Sequence, residues 1–276
     1  VFTRKQCIKS AQQTIDIFRL KKGDNFLCCL DISYVAGFMM IIRALISDAN
    51  IYLTKAERNP LLKTDKNVKF DFAAFVPYQL LSILEDAPEN VSRLNAMKAI
   101  LVGGGVISGK DLEVFQKIIA PLYHTYGMTE TLTHVALKRI NGATTDLNFK
   151  AIPGVMFSKD SRDCLVMNTP ILKEEIVTND IVNMISDQEF EYLGRIDHVI
   201  NSGGYKIHPQ LVEQKIESLV AEMFNTGNYF IFPAEDQKFG QHPELIIEAE
   251  VDQSKLSRFN EELKKMLHPY EVPKRI

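Results

Sequence analysis

Val199–Val212 reads VINSGGYKIHPQLV, in which a polar pair, Asn201 and Ser202, runs into Gly203 and Gly204 ahead of Lys206. Adjacent glycines let the backbone take positive φ and lie close to a ligand. Directly upstream, GRIDH (Gly194–His198) supplies Arg195 and Asp197. Downstream, Pro209 suits the first turn of a helix whose Leu211, Val212, Ile216, Leu219, Val220 and Met223 recur at roughly 3.6-residue spacing. The pattern predicts a hinge, a glycine loop and then a mobile domain.

Around that stretch, 276 residues with 46% hydrophobic side chains have material for one large or two ordinary domains with a real core. The 32 basic and 35 acidic residues are interspersed and net −3, with no basic block suited to a phosphate backbone, so nucleic acid is not an expected partner. The longest strongly apolar stretch, Ile32–Ile46, carries Arg43 and is shorter than the roughly 18 residues of a membrane span, so it reads as a buried helix. Cys7, Cys28, Cys29 and Cys164 show neither a C-x-x-C pair nor the density of a disulfide scaffold, which fits a reducing cytoplasm.

In chain order, Cys7, Ile8, Ala11, Ile15 and Phe18 share a helical face that ends near Lys22, Gly23 and Asp24. FLCCL (Phe26–Leu30) reads as a buried strand, SYVAGFMMIIRALI as a core helix and NIYL (Asn50–Leu53) as another strand. This alternation points to an α/β layer. Phe72–Leu84 has a helical pattern in which Pro77 should kink the helix or sit near its start. AILVGGG (Ala99–Gly105) runs an apolar strand into three glycines, a junction that brings backbone near a ligand or simply makes a tight packing turn. Leu112–Ile119 looks helical, and YGMTET (Tyr126–Thr131) places a ring, hydroxyls and a carboxylate in one compact turn, a set suited to a nucleotide and its metal ion. Short β-like runs follow at Asp163–Met167, Ile181–Ile185 and Glu189–Leu193, with VTND putting Asp180 at a strand edge. Past the hinge, Asn228–Phe232 and Glu244–Val251 read as strands, and Leu256, Phe259, Leu263 and Leu267 mark a closing amphipathic helix.

Taken in order, Gly103–Gly105, YGMTET, VTND and GRIDHVINSGGYKIHP resemble the motifs of the adenylate-forming superfamily of acyl- and aryl-CoA synthetases. The ordered set covers most of the chain. AGFMMIIRAL, YGMTETLTHVALKRING and the Asn of VTND are most similar to o-succinylbenzoate–CoA ligases of menaquinone biosynthesis. The resemblance implies an α/β large domain with mixed sheets and helices over residues 1–196, followed by a small mobile α+β C-terminal domain over 197–276. It also implies two half-reactions at one site. A carboxylate of an aromatic acid attacks the α-phosphate of ATP and releases pyrophosphate, and the thiol of coenzyme A then displaces AMP. The implied partners are ATP, the acid and CoA, with Mg²⁺ as metal, in a cytoplasmic protein whose expected assembly is a homodimer.

By motif position, the resemblance implies that Gly103, Gly104, Gly105 and Gly127 lie along the nucleotide and that Tyr126 stacks on adenine. Thr129 would hydrogen-bond the α-phosphate and Glu130 would hold Mg²⁺, the two acting in catalysis, while Asp180 and Arg195 bind the ribose. Asp197 matches the hinge, and Gly203 and Gly204 match the loop along the pantetheine of CoA. The Ser/Thr/Gly-rich phosphate loop of the family is expected just before Val1 and its adenylation lysine shortly after Ile276. Tyr34 stands where many relatives carry a histidine, and Asn179 where a glycine is common.

Taken singly, several of these residues have plainer readings. Glu130 alone is a surface carboxylate, Arg195 with Asp197 an exposed ion pair, Lys206 a solvated loop lysine and Tyr126 a core ring. His134, His198 and His208 lack metal-ligand spacing and read as packing or local hydrogen-bonding residues. Arg43 is either a partner for a substrate carboxylate or an arginine snorkelling from the helix end, the second being favoured. Two competing functions remain open: an adenylation domain that loads a carrier protein, and a non-catalytic adenylate-binding relative.

Overall fold

The computed structural model of the protein describes residues 2–250 and 253–276. They form two compact units, one running through Ser158 and including Val166–Val177 and Met184–Glu191, the other comprising Lys159–Leu165, Thr178–Asn183 and Tyr192–Ile276. No helix among the described residues is long and apolar enough to cross a membrane.

The first unit opens on α1 (Arg4–Phe18), started by a capping box in which Thr3 Oγ1 accepts from the Gln6 N–H and Gln6 Oε1 from the Thr3 N–H. Ala11, Ile15 and Phe18 are buried as predicted, but Ile8 is exposed because the helix turns its inner face toward Ser10 and Thr14. β1 (Asn25–Cys28), α2 (Val35–Ser47) and β2 (Asn50–Leu53) then realise the predicted alternation. α2 departs from a core helix in one respect. Met39, Met40, Arg43 and Ala44 are buried, whereas Tyr34, Phe38 and Leu45 are exposed, so only one face of this apolar run is covered.

The predicted helix over Phe72–Leu84 is in fact two elements, β3 (Phe72–Phe75) and α3 (Pro77–Asp86). FAAF is a short apolar run that periodicity cannot assign. Val76, preceding proline, is held extended at φ −86° and ψ 156°, and Pro77 takes the first helical position. After α4 (Val91–Asn95) comes β4 (Ala99–Val102), whose AILV is buried throughout, as a strand covered on both faces requires. α5 (Gly109–Phe115) starts earlier than predicted because Ser108 Oγ accepts from the Asp111 N–H, and it ends at Phe115.

With β5 (Leu122–Gly127), the strands lie in the order β2-β1-β3-β4-β5, each neighbouring pair parallel. β6 (His134–Arg139), β7 (Phe149–Ala151) and β11 (Glu189–Arg195) extend this order in antiparallel fashion. From β11 the order runs to β10 (Ile176–Ser186), β9 (Cys164–Asn168) and β8 (Met156–Lys159). Asp180 lies inside β10 rather than at a strand edge. Leu27, Phe75, Leu80, Ile100, Val102 and Phe115 belong to the largest core, where each large side chain contributes roughly 1.5 to 3 kcal/mol on burial.

In the second unit, β12 (Ile200–Ser202), β13 (Tyr205–Ile207), β14 (Tyr229–Asp236) and β15 (Gly240–Ile247) form a sheet in the order β13-β12-β15-β14. α6 (Pro209–Phe224) and α7 (Gln253–Met266) complete it. Val212, Ile216 and Val220 of α6 close over Ile231, Leu245, Phe259 and Leu263 in one apolar core. Of the predicted strand Glu244–Val251, the part to Ile247 lies in β15, and Val251 falls outside the described residues. The fold class is therefore α/β with a mixed sheet, followed by a small α+β unit.

Candidate functional site

A cavity of about 640 Å³ opens in the first unit where the parallel strands end. Ligands of open α/β sheets lie at the carboxyl ends of the strands, and this is such a place. Leu30 after β1, Val76 after β3 and Gly103 after β4 reach it, together with Thr129 and, from α2, Arg43. A Cβ on Gly103 would collide with Thr125 Oγ1, and Gly104 has φ +75°, so neither position accepts another residue without strain. Gly105 is exposed beside Pro77 and is not part of the lining.

YGMTET forms the bend that carries the chain from β5 toward β6, and Gly127 and Thr129 line the cavity. The bend is braced within itself. The Met128 N–H donates to Thr131 Oγ1 at 2.9 Å, and that hydroxyl donates to Thr133 O at 2.7 Å. Thr129 and Glu130 are exposed on it. Tyr126 is half-buried, its ring held edge-on by Phe190 at 5.1 Å and tilted against Phe149 at 5.7 Å.

Arg43 does not snorkel. It is 4% exposed, lines the cavity, and donates from Nη2 to Thr133 Oγ1 at 2.6 Å, with no ion-pair partner among the described residues. Burial lowers its pKa to about 10, which leaves it charged at neutral pH. A buried charge with no internal counter-ion costs several kcal/mol, and an incoming anion would offset that cost. Beside it, burial and then the Arg43 charge push the His134 imidazole down to about 3, so the ring is neutral.

Asp180, Arg195 and Asp197 come together in the second unit. Arg195 Nη1 is 3.5 Å from the mostly buried Asp180 carboxylate, and Arg195 Nη2 is 2.7 Å from Asp197. Asn179 Nδ2 also donates to Asp197, at 3.3 Å. The Arg195 hydrogen bond, reinforced by Asn179, holds the Asp197 carboxyl below the usual carboxylate range.

Gly203 and Gly204, at φ +59° and +85°, form the two-residue turn between β12 and β13 that positive φ at both positions makes possible. Gly203 lies against Phe239, where a Cβ would approach the ring to 2.8 Å. A shelf of rings absent from the sequence reading surrounds this turn. Tyr205 stacks on His268 at 4.7 Å and on Tyr270 at 5.4 Å, Phe239 meets Tyr270 edge-on, and the Lys274 ammonium sits 4.7 Å from the Phe239 centroid. The only signals available for it were Tyr205 beside the glycines and the HPY run at His268–Tyr270.

Residues 1–157 match the profile of the AMP-binding enzyme family. The chain belongs to that family. A solved structure named as an acyl-CoA synthetase (AMP-forming)/AMP-acid ligase II-like protein from Dyadobacter fermentans is 34% identical to this chain. That match covers 100% of this chain and 78% of the other, with a TM-score of 0.68. A curated relative, 2-succinylbenzoate–CoA ligase from Lactococcus lactis, is 26% identical over 96% of this chain and 60% of its own length. The o-succinylbenzoate coenzyme A synthetase of Bacillus subtilis, solved with ATP and magnesium ion, shares the fold at a TM-score of 0.79 with 19% identity, over 99% of this chain and 62% of that one. The chain thus spans about 60% of the length of the curated relatives it matches.

Proposed function

We propose that the protein is an ATP- and CoA-dependent acid ligase whose substrate is an aromatic acid with a second carboxylate, of the o-succinylbenzoate type, as in menaquinone biosynthesis. The observation that carries this reading is Arg43, a buried cation in the cavity wall without a counter-ion among the described residues. One carboxylate of the acid would meet Arg43 while the other is activated.

In the first half-reaction an oxygen of the carboxylate that does not meet Arg43 bonds to the α-phosphorus of ATP and the bond to the pyrophosphate oxygen breaks. The backbone at Gly103 and Gly104 receives the nucleotide closely, Thr129 donates to the α-phosphate, and Tyr126 stacks on adenine. Asp180 and Arg195 take the ribose hydroxyls. Glu130, an exposed carboxylate on the braced bend, has the chemistry to hold Mg²⁺, which keeps most of its ligands from water and phosphate and needs few from protein. When bound, the ion neutralises charge gathering on the phosphates. In the second half-reaction the CoA sulfur attacks the acyl carbon and AMP leaves. The Gly203–Gly204 turn and its ring shelf support a CoA path there.

This proposal includes a domain boundary at residues 196/197, with Asp197 as the hinge of a mobile C-terminal domain. Four free cysteines support a reducing cytoplasm as its location, and the interspersed charges support work without nucleic acid. A homodimer is the proposed assembly. Incubating the complete native polypeptide with o-succinylbenzoate, ATP and either free CoA or a carrier protein should yield AMP and the CoA thioester by mass spectrometry. Thioester on the carrier alone would point to a carrier-loading enzyme, and no adenylate with any aryl acid would sink the catalytic reading.

A further inference from the structure

We infer that His134 is a positioning residue, acting through Thr133 to fix how Arg43 meets the acid; the inference rests on the function proposed above. Thr133 Oγ1 lies 2.6 Å from Arg43 Nη2, and a guanidinium only donates, so the hydroxyl accepts there. The hydroxyl proton then needs an acceptor of its own. His134 Nδ1 lies 3.4 Å from the same oxygen and, when unprotonated, is that acceptor.

The arrangement assigns the imidazole proton to Nε2, which is buried and without a partner among the described residues. It works only with a neutral ring. A proton on Nδ1 would be donated to the oxygen that Arg43 uses, and would set a second cation beside the guanidinium. The low-dielectric surroundings that leave His134 6% exposed keep it neutral.

Thr133 itself cannot drift. Its carbonyl accepts from Thr131 Oγ1 at 2.7 Å, inside the braced bend that carries Thr129. His134 is paired with Gly127 across β5 and β6. A Cβ on Gly127 would come within 2.5 Å of Thr133 O, so the two strands approach there as closely as glycine permits. The backbone therefore holds Thr133 in place, its β-branched side chain is stiff at χ1, and the freedom left to its hydroxyl is the direction of the proton. His134 takes that freedom away. With the rotor turned toward Nδ1, the lone pair facing Arg43 stays available and the remaining guanidinium N–H groups keep one orientation toward the cavity.

Steady-state kinetics of the complete native polypeptide test this with His134→Leu, His134→Gln and Arg43→Met. His134→Leu removes the acceptor and should raise KM for the dicarboxylic acid by up to about tenfold, the upper end for one neutral hydrogen bond, with kcat and KM for ATP held within about twofold. His134→Gln returns an acceptor oxygen and should recover most of that loss. Arg43→Met should raise the same KM further. If Arg43→Met does so while His134→Leu leaves it unchanged, the His134 inference falls alone. If Arg43→Met leaves it unchanged, the function beneath it falls. A Gln variant as impaired as Leu, or a joint rise in KM for acid and ATP, would show a packing role and overturn the inference. Should His134→Leu not fold, His134→Phe fills similar space without an acceptor and gives the same comparison.

Discussion

Arg43, Thr133 and His134 join a charge, a hydroxyl and a neutral ring without a carboxylate among them. The same burial that readies Arg43 for an anion makes the site sensitive to acid. His134 has its pKa pushed from 6.5 to about 3, so the folded state favours the uncharged ring. The unfolded chain binds that proton first as pH falls, so the contribution is present above pH 6.5 and is lost on the way down toward 3. Thermal melts between those limits should therefore slope downward in acid, and His134→Gln should flatten the slope in part. His124, pushed down to about 4 chiefly by burial, and His208, also lowered chiefly by burial, keep part of it. A His134→Gln melt curve parallel to wild type would remove His134 as a cause. At this scale the sequence showed the motif residues but misjudged Arg43. Residue spacing places an arginine on a helix, but which neighbour covers it depends on Thr133, far along the chain.

Elements were legible in proportion to how much local chemistry they carry. α1 and α6 were marked by apolar stripes at helical spacing, α6 also by a proline start, and both are found. The glycine turn between β12 and β13 was readable because no other residue pair takes positive φ so easily. β3 was read as helix because FAAF has no alternation, and its strand character comes from lying between β1 and β4, both pairings parallel. The aromatic shelf was missed for the same reason, since β13, the β14–β15 turn and the segment after α7 meet only in the folded unit. In α6 the stripe is strong enough to carry a quantitative expectation. Ile216 is fully buried in the core shared by the four-stranded sheet, α6 and α7. Ile216→Ala should cost about 2 to 5 kcal/mol of unfolding free energy in that unit by denaturant titration. A loss under about 1 kcal/mol would mean that the helix is not seated on that core.

For the whole molecule, the large α/β class and the small α+β unit were visible from the strand and helix rhythm and from the order of motifs. Spatial grouping was not. The structure gathers Gly103, Gly104, Gly127, Thr129 and Arg43 around one cavity, and separately holds Asp180, Arg195 and Asp197 in a hydrogen-bonded cluster. The proposed function assigns the first group to the acid and phosphates. Its central claim is that Arg43 supplies the counter-charge for the substrate's second carboxylate. The most direct measurement compares KM for o-succinylbenzoate with KM for 4-oxo-4-phenylbutyrate, which lacks the ring carboxylate, in wild type and Arg43→Met. Wild type should favour the dicarboxylate by roughly tenfold or more, as expected for a charge-assisted pair, and Arg43→Met should erase that preference with little change for the monocarboxylate. Equal preference in both proteins would contradict the claim.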